Sequence, residues 1–171
     1  MLILKCTQKA AKEFGEKPQN LPQLSPESNT TLLGDWFANM FRMGHSKYML
    51  FTNAETLYSF LVEYKKSDLA DISEFFRFNL EFSLFDEGFS NEQIDRLLAE
   101  YGEVRLAKTD NRSVLGSMND MVMLYKYIIM DMGGPKEADL AQAIREINRT
   151  PQLKRNGIFP NRMLREKLES Q

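Results

Sequence analysis

With 171 residues, 43 % of them hydrophobic, and a formal net charge of −2, the chain has the size and apolar content of one globular domain and lacks the overall basic field of a typical nucleic-acid binder. One cysteine excludes an internal disulfide and favours a reducing compartment, and one histidine beside it leaves too few ligands for a Cys/His zinc site. The opening Met1-Leu2-Ile3-Leu4-Lys5-Cys6 is too short an apolar run for a signal peptide and no later stretch reaches the length of a membrane span, so a cytoplasmic protein is expected.

In chain order, Leu2 to Cys6 predicts a buried strand, and Thr7 caps a short helix ended at Gly15. From Glu16 to Thr31 three prolines among polar residues predict an irregular connection, with a lid as the less favoured alternative. Trp36 to Met43 and Lys47 to Thr52 carry large apolar side chains on both alternating faces. That pattern belongs to interior strands, and Gly44-His45-Ser46 between them predicts a hairpin. Thr52 and Glu55 have the spacing of a capping box, which predicts a helix carrying Ala54, Leu57, Tyr58 and Leu61 on one stripe.

A helix over 67–86 follows, with Leu69, Ile72, Phe76, Leu80 and Leu84 on one stripe and Phe75, Phe78, Phe82 and Phe85 on a second. So wide an apolar surface predicts a largely buried helix; the alternative is a partner groove open to solvent. Ser90 with Gln93 opens a further helix, Glu103 to Lys108 alternates as an edge strand, and the longest helix runs from Ser113 or Ser117 to Met132. A last amphipathic helix carries Leu140, Ile144 and Ile147. The expected architecture is an α+β single domain over 1–150, a mixed sheet of about four strands with a central hairpin, covered by five to six helices. Residues 151–171 form a basic tail (Lys154, Arg155, Arg162, Arg165, Lys167) with a short helix after Pro160.

Chemical groups are sparse. Cys6 in a strand and His45 at a loop tip are poorly placed as a nucleophile pair, and Gly133-Gly134-Pro135 ends a helix where a phosphate loop would open one. Asp35 and Glu55 face each other across the hairpin's ends, a weak signal for acid–base work. The cluster Lys108, Asn111, Arg112, Ser113, Ser117 and Asn119, between the last strand and the longest helix, is a candidate anion site built on a helix start, with plain capping as the blander explanation. Arg42, His45 and Lys47 are a candidate basic patch. No metal and no cofactor are expected.

Five strings, Lys5-Cys6-Thr7-Gln8-Lys9, Leu33 to Asn39, Leu50 to Leu57, Asn111 to Asp120 and Ile147 to Pro151, resemble a bacterial family known only as a domain of unknown function. The resemblance spans nearly the whole chain and implies a bacterial, cytosolic, single-domain protein without an assigned activity. Rich in core signals and poor in reactive groups, the sequence points first to a non-enzymatic interaction or regulatory module with a protein partner or self-association and no membrane. The second reading is a nucleic-acid-associated accessory protein of toxin–antitoxin or mobile-element type, using the anion site near Arg112. The third is a metal-independent phosphodiesterase or RNase.

Overall fold

The structure, a computed structural model, describes residues 1–170; Gln171 and the side chains of Pro26 and Lys154, the latter counted in the basic tail, lie outside the described set. A five-stranded sheet is built from β1 (Leu2–Cys6), β2 (Trp36–Met43), β3 (Ser46–Asn53), β4 (Ser59–Glu63) and β5 (Val104–Lys108) in the order β4-β3-β2-β1-β5. β1 lies parallel to both β2 and β5, while β2, β3 and β4 form an antiparallel meander. The β2–β3 hairpin is therefore interior, as its two-sided apolar pattern predicts, and β5 is an edge. Gly44, at a φ of 59°, supplies the left-handed backbone of its tight turn.

β4 corrects the sequence reading, which placed a helix there. Thr52 is a β3 residue paired with Ser59, and the apparent capping box is an Asx turn in which Asn53 Oδ1 accepts from the N–H groups of Glu55 and Thr56 and from the Thr56 hydroxyl. Leu57 adopts a left-handed conformation (φ 58°) that completes the reversal. Beyond it Tyr58, Phe60 and Val62 alternate with Ser59 and Leu61, and this period-2 pattern forms a fifth strand where four were expected.

Directly opposed residues of antiparallel strands share a face, so Trp36, Phe51 and Phe60 point one way and Phe37, Thr52 and Ser59 the other. On the first side α2 (Ile72–Asp86) drives Phe76 edge-on against Trp36 and Phe51, at centroid distances of 5.3 and 5.1 Å, and in tilted contact against Phe60 at 5.6 Å. On the second, α4 (Arg112–Asp131) and α5 (Leu140–Asn148) bring Met121, Tyr125 and Asn148 onto Thr52 and Ser59. α1 (Gln8–Glu13), α3 (Asn91–Ala99) and α6 (Pro160–Glu169) complete the six α-helices among the described residues. Start signals at Thr7 and Ser90 act as read, the latter as a reciprocal capping box with Gln93. The start of α2 is set by Asp71, with a 3₁₀ turn over Lys66–Ala70 before it, and the start of α4 by Asn111. The tail is docked: Leu164 and Leu168 of α6 belong to the same buried cluster as the sheet.

Candidate functional site

Strand alternation directs Lys5, the only charged residue of β1, towards the α4 side of the sheet's interior, where its neighbours in register are Phe37 and Ala107. β1 is flanked by β2 and β5, and Lys5 is 1 % exposed. Its ammonium is instead held by two carboxylates, Asp35 Oδ2 and Asp110 Oδ2, both at 2.6 Å, with the Phe37 ring centroid 5.8 Å away. Burial alone would push the ammonium down; the hydrogen bonds and charges of Asp110 and Asp35 outweigh it and raise the pKa above the ordinary lysine value.

Each carboxylate is itself positioned. Asp35 stands just before β2 after a turn in which Gly34 has a φ of 64°, and Asn29 Nδ2 donates to its second oxygen at 2.9 Å. Asp110 lies two residues beyond β5, directly before the Asn111 side chain that caps α4 through the Val114 N–H. The amide of Asn53, fully buried, donates to the carbonyls of Leu33 and Asp35 and so fixes the hairpin's end against the same turn. Lys5, Asn29, Asp35, Asp110 and Asn111, with Glu55 and Arg155, line a polar cavity of about 420 Å³. Glu55 is engaged by Lys167 of α6, and Arg155 donates to the Ala54 carbonyl. Asp35 and Glu55 therefore do share a cavity, but each is held by a cation, and Lys5 is protonated and doubly paired. The arrangement holds charge in place. Among the described residues no group of three or more His, Cys, Asp or Glu side chains is placed to hold a metal ion.

The six residues of the candidate anion site do not converge. Asn111 faces the Lys5 cavity, Lys108 lines a separate depression with Cys6, Lys12 and Thr109, and Arg112, Ser113 and Asn119 are exposed on the first turns of α4. Ser117 is buried inside the helix, its hydroxyl without a hydrogen-bond partner. The basic patch is also divided. Lys47 turns to Glu13 on α1, whereas exposed Arg42 and His45 join Lys126 and Lys136 around a depression of about 540 Å³ beside Met130. Cys6 is buried, with its thiol raised by desolvation, and sits beside Ala38 of β2, short of the turn that carries His45.

What sequence reasoning assigned to the core and the structure does not is half of α2. Phe75, Phe76, Leu80 and Leu84 are buried, but Phe78, Phe82 and Phe85 are 67, 60 and 65 % exposed. Their spacing of four and three residues puts them on one outward stripe, away from the sheet that the first stripe covers. With Asn91, Ile94 and Asp95 of α3 they line a groove of about 470 Å³, bordered by the carboxylates of Glu81 and Asp95. The signal was present as the second Phe stripe, since one helix packed on one sheet can bury only one side. Lys5 also had a signal, a single charge inside an otherwise apolar central strand.

A family model described as a domain of unknown function (DUF6933) matches residues 3–163. No curated protein matches the chain.

Proposed function

Since the chain belongs to this DUF6933 family, whose description assigns no activity, we propose its role from its surface: it is a protein-interaction module whose α2–α3 groove receives a partner with apolar anchors and a basic flank. The observation that carries this reading is the exposed row Phe78, Phe82 and Phe85. Aromatic side chains left in water along one helix are costly unless a partner covers them, because burying each stabilises a complex by about 1.5–3 kcal/mol. Three rings at helical spacing beside a second helix form the kind of groove that accepts an amphipathic helix, and Glu81 and Asp95 at its border favour lysine or arginine beside the apolar anchors. The saturated hydrogen bonding and ion pairing around Lys5 supports the same reading, because the most deeply buried charges serve the fold.

A fluorescein-labelled amphipathic peptide of leucine and lysine tests it by anisotropy. Saturable binding is expected at low salt, weakened at least tenfold by Phe82→Asp, with no binding of a leucine–glutamate peptide of equal length. Equal binding by the wild type and Phe82→Asp, or none to either, would contradict the proposal.

A further inference from the structure

A second exposed apolar row lies on the opposite side of the molecule. On α4, Met121 and Tyr125 pack onto the sheet, and Met123, Tyr127 and Met130 are turned outward at 72, 71 and 62 % exposure. Their spacing of four and three residues repeats that of Phe78, Phe82 and Phe85 on α2. The surroundings differ in charge. Lys126 lies within the α4 row, and Lys136, Arg42 and His45 line the depression next to Met130; the α2 groove is bordered by Glu81 and Asp95. Asp120 and Asp131 on α4 and Arg77 on α2 temper the contrast without reversing it at the groove and the depression themselves.

Resting on the reading of the groove given above, we infer that its partner is a second copy of this chain, which seats the Met123/Tyr127/Met130 face of its α4 in the Phe78/Phe82/Phe85 groove. Each surface has what the other requires: apolar anchors at matching helical spacing, thioether and aromatic groups that pack well against phenyl rings, and charges of opposite sign at the border. Pairing of like surfaces would bring Glu81 and Asp95 against their own counterparts, so a two-fold contact through α2 is disfavoured. The two faces belong to helices on opposite sides of the sheet. The contact is therefore heterologous, each copy using one face as donor and the other as acceptor, and it propagates head to tail instead of closing at two. The net charge of only −2 puts little general repulsion in the way of such assembly.

A mixing experiment by sedimentation velocity tests this directly. The wild type at about 100 µM and low salt is expected to show a weight-average mass that rises with concentration past the dimer and falls in 1 M NaCl. Phe82→Asp and Tyr127→Asp should each sediment as monomers with unchanged melting curves, because each lacks one half of the contact. Mixed in equal amounts, they should give a species of twice the monomer mass and nothing larger, since the intact α4 face of one fits the intact groove of the other. Phe85→Asp and Met123→Asp serve as the second pair should either variant fold poorly. A wild type that stays monomeric, single variants that still associate, or a mixture that stays monomeric would overturn the inference. Leucine–lysine peptide binding without self-association would overturn it while leaving the groove reading intact; loss of both would overturn both.

Discussion

Lys5 sets the strongest constraint at the residue scale. Two carboxylates are ordered around one buried ammonium, so removing the cation leaves Asp35 and Asp110 near each other with no cation between them. Lys5→Met is expected to cost about 3–5 kcal/mol in urea unfolding, the range for breaking a buried pair from one side. The pH dependence carries the same signature. A lysine whose folded pKa is raised contributes stability at pH values below its unfolded value and loses it as the pH climbs through the folded one, so the wild type should weaken beyond the ordinary lysine range. Glu13 acts at the other end. Burial pushes its carboxyl up, but hydrogen bonds from Tyr64 and Lys47 outweigh this and lower it, so its contribution is present above the ordinary glutamate range and lost as the pH falls through the lowered value. Unfolding midpoints across the pH range should therefore show both limbs, and Lys5→Met should have a shallower alkaline one, the remainder coming from Tyr58, Tyr101 and Tyr125, whose phenols burial also pushes up.

At the scale of elements, the misread segment is the stretch from Asn53 to Leu61. Thr52 with Glu55 has the residues of a helix start, yet Asn53 offers the same backbone donors a different acceptor and turns the chain back. Local spacing cannot separate the two, because the deciding interactions are the Asn53 amide bonds to Leu33 and Asp35, some twenty residues away. Asn53→Ala would strand several buried groups, each worth about 1–3 kcal/mol, and a loss of at least about 3 kcal/mol is expected in chemical denaturation. The hairpin, by contrast, was legible from its two-sided apolar pattern, as were α1, α3 and the edge strand β5. α2 was legible in its position but not its burial: both stripes read as core because sequence periodicity gives faces and not what covers them. Arg112 and its neighbours failed to meet for a related reason, since Lys108 belongs to β5 and Asn111 to the cap, and the helix's own turn distributes Arg112, Ser113, Ser117 and Asn119 around it.

For the whole molecule, one sheet buries its two faces under helices that each keep an apolar row outward, Phe78/Phe82/Phe85 on one side and Met123/Tyr127/Met130 on the other. Four of the five strings that resemble the family meet elsewhere, on the Lys5 cavity, through Lys5, Asp35, Glu55 and Asn111. On the function proposed above, the interior polar network holds the fold and the outward rows make the contact. It also yields a sharp contrast, because side chains kept for a partner can be removed without loss of the fold. Urea unfolding of the triple variant Phe78→Ser/Phe82→Ser/Phe85→Ser measures this directly. If the α2 row exists for contact, the unfolding free energy should change by no more than about 1.5 kcal/mol, the sum expected for three surface positions, while leucine–lysine peptide binding disappears. A loss of about 5 kcal/mol or more would place the three rings in the folding core and contradict the assignment of this face to a partner.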